Sequence, residues 1–231
     1  MTTVAVVPVK QLENAKQRLG GLLSAAQRQQ LFRAMFEDVL EAATTCDRID
    51  RVIVVTDDDR VADIGMGFGA GIRSEPSPGG LIEAVTMMAS DLAAEGVTTM
   101  VFLPADVPLV SVEELEVALD GFGRSGGREC LIVPSHDLGG TNAMVCSPPD
   151  AMTFAFGEDS FRRHLKLARA QDVEPVVARL PGIGLDIDTP DDLRECARRI
   201  DADGLGTNLA RLLAETGIMN ELKDSADQAE A

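Results

Sequence analysis

The stretch TMVFLPADVPLVSVEEL, residues 99–115, decides the architecture. Residues 99–103 are β-prone and almost continuously apolar, which predicts a strand buried on both faces. Pro104, Asp106 and Pro108 break the run, and Ser111 with Glu114 then has the S-x-x-E spacing of a capping box, predicting a helix over 111–122. A strand that feeds directly into a helix is the building unit of a parallel sheet. Asp106 is left at the carboxyl end of that strand, where an unpaired carboxylate is costly. Two readings stay open for it: a cap for the following turn or helix, or a ligand for a Mg²⁺ ion that bridges phosphate oxygens.

The same unit recurs along the chain. Apolar strands are predicted over 4–9, 51–56, 130–134, 143–146 and 174–178, with a weak one over 71–74. Helices are predicted over 25–43 behind Ser24, from the acids at 57–59 to Met66, over 81–94 behind Gly79–Gly80, over 191–199 and over 208–215. The expected fold is therefore α/β, three-layered α/β/α, with a mostly parallel central sheet. In such sheets ligands bind at the carboxyl ends of the strands, where strand order reverses. The glycine-rich run 65–71 ends a helix instead of following a strand, the wrong context for a dinucleotide loop.

The 231 residues carry a formal charge of −17, which argues against nucleic acid or an anionic membrane as partner. Absence of Trp and Tyr removes the aromatic platform used for single strands. No long apolar run marks a membrane span or secretory signal, and four scattered cysteines without a C-x-x-C pair read as buried thiols of a reducing cytoplasm. Charge is uneven, however: residues 1–36 hold Lys10, Lys16, Arg18, Arg28 and Arg33 against the single acid Glu13. A negatively charged ligand is expected there. The acidic, polar end 223–231 is expected to be disordered.

Four stretches carry candidate chemistry. VPVKQLENAKQRL, 7–19, places Lys10, Lys16 and Arg18 after the strand ending at Pro8–Val9, a set suited to a triphosphate or simply to solvent. Asp106 is the second. In GLDIDTPDDL, 184–193, Asp186 and Asp188 share one face of an extended chain and repel unless a cation joins them, whereas Asp191 and Asp192 suit the first turn of a helix. GGTNAM, 139–144, with FGEDSFRRH, 156–164, offers backbone N–H groups, hydroxyls and a helix start at Ser160; an ordinary turn and amphipathic helix is the alternative. Ser160 lacks a nucleophile-elbow context, and His164 reads as structural.

Taken in order, VPVK, AKQRL, PADVPL, GGTNAM, FGEDSFRRHL and LDIDTPDDL resemble the CofC/FbiD guanylyltransferases of deazaflavin coenzyme (F-420) biosynthesis, within the GT-A-like nucleotidyltransferases, from about Val4 to Arg199. The resemblance implies one nucleotidyltransferase domain over 1–200 and a C-terminal extension over 201–231. It implies Mg²⁺-dependent transfer of GMP from GTP to a small phosphorylated carboxylic acid (phosphoenolpyruvate, 2-phospho-L-lactate or 3-phospho-D-glycerate) with release of diphosphate. Lys16, Asp106 and Asp188 would be catalytic; Pro8, Lys10, Lys16, Arg18, Gly79, Gly80 and Leu81 would bind the nucleotide. Thr141, Gly157 and Ser160 would hold the acid, and Asp106 and Asp188, supported by Asp186, would bind Mg²⁺. The chain departs from the family in carrying Ile82 where Asn is usual, removing an amide from the nucleotide side. A molybdopterin-type nucleotidyltransferase and a non-catalytic nucleotide-binding module are the competing readings, and the sequence admits a homodimer.

Overall fold

Alternate residues of the apolar strands enter two different cores, and this is what makes the protein three-layered. Ala5, Val7, Val52, Val54, Val101, Leu103, Val133 and Val145 join one cluster; Val4, Val6, Ile53, Val55, Met100, Phe102, Ile132 and Met144 join the other. Each fully buried aliphatic side chain of this kind contributes about 1.5–3 kcal/mol. A computed structural model describes residues 1–12, 16–203 and 205–218.

The strands are β1 (Thr3–Pro8), β2 (Arg51–Val55), β3 (Gly71–Arg73), β4 (Thr99–Phe102), β5 (Glu129–Pro134), β6 (Thr141–Ser147) and β7 (Val176–Val177). They form one sheet in the order β3-β2-β1-β4-β6-β5-β7, with every neighbouring pair parallel except those made by β6. Helices α1 (Ala25–Thr45), α2 (Asp59–Gly67), α3 (Leu81–Ala94), α4 (Val112–Leu119), α5 (Ser160–Arg169), α6 (Pro190–Asp203) and α7 (Thr207–Glu215) complete it. Leu31, Met35, Phe36, Val39 and Leu40 of α1 cover one face, with residues of α4, α6 and α7; Val85, Met88 and Leu92 of α3 cover the other with Ala168 of α5. All four cysteines are buried free thiols. Among the described residues no helix is long and apolar enough to cross a membrane.

Several local expectations are corrected. The Ser111 hydroxyl accepts from Glu114 N as a cap should, but the Glu114 carboxylate does not return to the cap. It accepts from Gly182 N at 2.7 Å and Ile183 N at 2.8 Å instead, because those buried donors lack local partners. Complete capping boxes lie at Ser24 and Gln27 of α1, where Gln replaces the acid, and at Thr189 and Asp192 of α6. Helix α4 stops at Leu119, and β7 is only two residues long. Thr141 and Asn142 belong to β6 and not to the glycine turn before it. The end of the chain expected to be disordered lies outside the described residues.

The predicted helix over 208–215 is α7, and it packs on α1. Its N-cap, Gly206, offers no side chain. The Asp38 carboxylate of α1 takes that role, accepting from Asn208 N at 2.8 Å, Asn208 Nδ2 at 3.0 Å and Leu209 N at 3.0 Å. Burial pushes the Asp38 carboxyl up to about 6 although these donors pull it down. Folding thus holds its proton between 3.8 and about 6, so this group's contribution is full below that window and declines as pH rises through it. Asp38→Ala strands three donors and is expected to lower the unfolding free energy by about 2 kcal/mol in urea titrations.

Candidate active site

Strand order reverses at β1, which has β2 on one side and β4 on the other. A cleft of about 600 Å³ opens at the carboxyl ends of β1 and β4, lined by Pro8, Lys10, Lys16, Arg18, Leu81, Asp106 and Asp188 together with Gln17, Phe32 and Phe102. After β1 the chain reaches Lys16, whose backbone is left-handed (φ 54°), and enters a single 3₁₀ turn, Gln17–Leu19, anchored by the buried Leu19. This conformation costs a non-glycine residue about 1 kcal/mol and persists only where the surroundings over-determine it.

The surroundings do so through charge. Lys16 Nζ lies 2.6 Å from Asp106 Oδ2 and 2.9 Å from Asp188 Oδ1, and its side chain is only 5% exposed. Arg18 Nη1 stands 3.4 Å from Asp188 Oδ2. Burial alone would lower the Lys16 pKa, but the two carboxylates outweigh it and hold the ammonium above its usual range. Asp188 goes the other way: burial raises it, and Lys16 and Arg18 bring it below the ordinary carboxylate value. Asp186 is pushed up, first by burial and then by the charge of Asp106. Its carboxylate accepts from Asn142 Nδ2 at 3.0 Å, and Asn142 also donates to Ile183 O. The two acidic segments are tied by Ile187 N donating to Asp106 O at 3.1 Å. Asp192 caps α6 by accepting from Asp188 N and Thr189 N.

A second cavity of about 780 Å³ adjoins the first and shares Arg18 and Asp188 with it. Gly140, Gly157, Asp186 and the 135–139 turn contribute to its walls. Gly157 has φ +109°, which side-chain-bearing residues rarely adopt. Thr141 and Ser160 stand behind these glycines, 8% and 2% exposed. His164 is fully buried; its ring contacts Thr141 Oγ1 and Ala155 N, and burial with the nearby Arg163 charge lowers it to about 4. Gly80 begins α3 without a capping side chain, so at this turn it is Leu81 that lines the cleft. Gln17, Phe102 and Asn142 were not singled out in the sequence. Asn142 had a signal, lying next to Thr141 in GGTNAM, whereas Phe102 was hidden among core residues.

Among the described residues no group of three or more His, Cys, Asp and Glu is spaced to hold a metal ion. Mg²⁺ does not require one, since it commonly takes one or two carboxylates and fills its shell with water and substrate phosphates. The donor chemistry fits: Asp106 and Asp188 converge on one point of positive charge, and Asp186 adds a carboxyl whose ionisation their negative charge opposes.

The family model described as "Guanylyl transferase CofC like" matches residues 3–229. The chain belongs to this family. It is a nucleotidyltransferase, and the match runs past Arg199, where the motif resemblance ended. A Conexibacter woesei protein named phosphoenolpyruvate guanylyltransferase is 37% identical over 193 residues, covering 84% of this chain and 86% of that one. A Colwellia psychrerythraea protein named 3-phospho-D-glycerate guanylyltransferase is 34% identical, covering 84% and 90%. In structure the chain is similar to a Desulfovibrio desulfuricans G20 protein assigned as a nucleotide-diphospho-sugar transferase, with TM-score 0.73, 17% identity and coverage of 98% and 96%. That likeness establishes the GT-A-like fold.

Lys16→Met leaves Asp106 and Asp188 facing each other without their shared cation. Breaking a fully buried pair costs about 3–5 kcal/mol, and the 42% exposure of Asp188 reduces the expected loss to about 2 kcal/mol. In the variant Asp188 loses the cation that does most to hold its carboxyl down, so its folded-state pKa rises and stability lost at neutral pH returns on acidification through the carboxylate range. In the wild type the depressed Asp188 contributes stability that is present above 3.8 and lost as pH falls below it. Chelator-treated protein unfolded in urea across that range should show the wild-type advantage shrinking toward acid.

Proposed function

We propose that the protein is a Mg²⁺-dependent guanylyltransferase that couples GTP to a three-carbon phosphorylated acid (phosphoenolpyruvate, 2-phospho-L-lactate or 3-phospho-D-glycerate) and releases diphosphate, a step in building the deazaflavin coenzyme F-420. The observation that carries this reading is the meeting of two cavities at Arg18 and Asp188. One is bordered by Lys10, Lys16 and Arg18, as a triphosphate needs; the other has Gly139, Gly140 and Gly157 in its wall among six carboxylates, and Arg18 and His136 are the basic side chains an acid would meet there. The names of the relatives support the guanylyl donor and a small phosphorylated acid as acceptor. The buried free thiols support a cytoplasmic, reducing setting.

In this mechanism an oxygen of the acid's phosphate attacks the α-phosphorus of GTP, and the bond from that phosphorus to the α,β-bridging oxygen breaks, with its electrons leaving on diphosphate. The attacking phosphate is already ionised, so no side chain has to remove a proton. The barrier is repulsion between two anions brought together, and the chain's task is to orient them and neutralise charge. Lys10 and Arg18 face the triphosphate side, Lys16 remains a protonated ammonium, and Asp106 and Asp188 would hold Mg²⁺ with Asp186 beside them. When bound, Mg²⁺ supplies positive charge against the phosphate oxygens. Leu81 borders the nucleotide side, and Gly79–Gly80 shape that turn.

The test is diphosphate release from GTP, CTP and ATP, each with the three acids and Mg²⁺. GTP with at least one acid should turn over; no release with any acid sinks the reading. Asp106→Asn and Asp188→Asn should each lower kcat roughly 10²- to 10³-fold.

A further inference from the structure

The second cavity repels an anion unless a donor meets it there. Its wall carries the carboxylates of Asp137, Glu158, Asp159, Asp186, Asp188 and Asp192 against two basic side chains, Arg18 and His136. Arg18 also lines the first cavity and stands 3.4 Å from Asp188 Oδ2, so it belongs to the junction of the two. His136 is exposed and lines the second cavity only. The backbone that carries it is fixed. His136 N donates to Gly184 O at 2.8 Å and Ser135 N donates to Gly140 O at 3.0 Å, which ties the 135–140 turn to the segment leading to Asp186. Inside the turn, the Ser135 hydroxyl accepts from Gly140 N at 2.7 Å and donates to the Asp137 carboxylate, which also accepts from Gly139 N at 2.9 Å. With the serine proton spent on Asp137, the imidazole is the side-chain donor this turn has left for the cavity.

The acceptor acid has two anionic ends with different tasks. Its phosphate has to reach the α-phosphorus of the nucleotide, which puts that end at the junction beside Arg18 and Asp188. The short carbon chain then carries the carboxylate onward into the second cavity, toward the acidic wall. We infer that His136 is a specificity-determining residue that donates an imidazole N–H to the carboxylate of the acceptor acid while the acid's phosphate lies at the junction. This rests on reading the second cavity as the acid site. A neutral imidazole has one N–H and an imidazolium two, so the contact is available in either state. A hydrogen bond to an ionised acceptor is the stronger kind, and a phosphorylated ligand without a carboxylate gains nothing from it.

Two measurements on the full chain test it. The protein has two histidines, and the other, His164, is fully buried, so the ring signals of His136 are assigned in nitrogen NMR by their loss in His136→Gln. With Mg²⁺ present and GTP absent, at least one of phosphoenolpyruvate, 2-phospho-L-lactate and 3-phospho-D-glycerate should shift those signals, and inorganic phosphate should leave them in place. No shift with any acid, or an equal shift with inorganic phosphate, would overturn the proposal. In kinetics, His136→Ala should raise KM for the acid about tenfold with KM for GTP within about twofold. His136→Gln, whose amide keeps an N–H donor, should recover most of that loss. An unchanged acid KM in His136→Ala, equal rises for both substrates, or a glutamine variant as poor as the alanine one counts against the assignment. If wild-type protein turns over no acid while one of them still shifts His136, the functional reading falls and the contact stands; turnover with unmoved His136 signals sinks this inference alone.

Discussion

Lys16 is held between Asp106 and Asp188, residues 90 and 172 positions away along the chain, and the site is organised around that contact. An ammonium this buried is tolerable only with opposite charge at hydrogen-bond distance. The requirement therefore draws together the loop after β1, the turn after β4 and the segment leading into α6. Lys16 makes these contacts from a left-handed backbone conformation at the start of the 3₁₀ turn. The one ammonium thereby compensates the charge of both carboxylates.

Two other carboxylates make the scaffold for this contact by serving as caps for distant backbone. Glu114 accepts from Gly182 and Ile183, which places the segment that carries Asp186 and Asp188. Asp38 does the same for the start of α7. Gly182 passes so close to Leu109 O that an added Cβ would lie 2.1 Å from it, so the 180s can dock on the 109–114 region only with glycine at this position. These contacts explain how a protein with formal charge −17 spends part of its acidity inside the fold.

The cavity on the other side of Asp188 is organised by neutral hydrogen bonds instead. His164, Thr141 and Ala155 form a chain whose direction is set by one backbone N–H, and Asn142 orients Asp186 from the adjacent position of β6. Charge compensation thus organises the first cavity, and hydrogen bonds between uncharged groups brace the elements beside the second.

Much of the fold was legible in the sequence because strand burial on both faces leaves a continuous apolar signature and helix starts leave caps. The strands at 51–56 and 99–103 and the helices behind Ser24 and Gly80 were readable in this way. Asp106, Asp188 and the cations of the first loop were readable as chemistry because charged groups beside apolar runs need a reason. Pairing was not readable, since hydrogen bonds between segments leave no local periodicity. That Glu114 serves Gly182 instead of its own helix, that β6 runs against its neighbours, and that Lys16 faces the carboxylates all follow from which donors and charges folding would otherwise strand. By itself the sequence determined the layers and the inventory of charges. Only the tertiary structure decided which charge meets which, because a buried ion or N–H is satisfied by proximity in space.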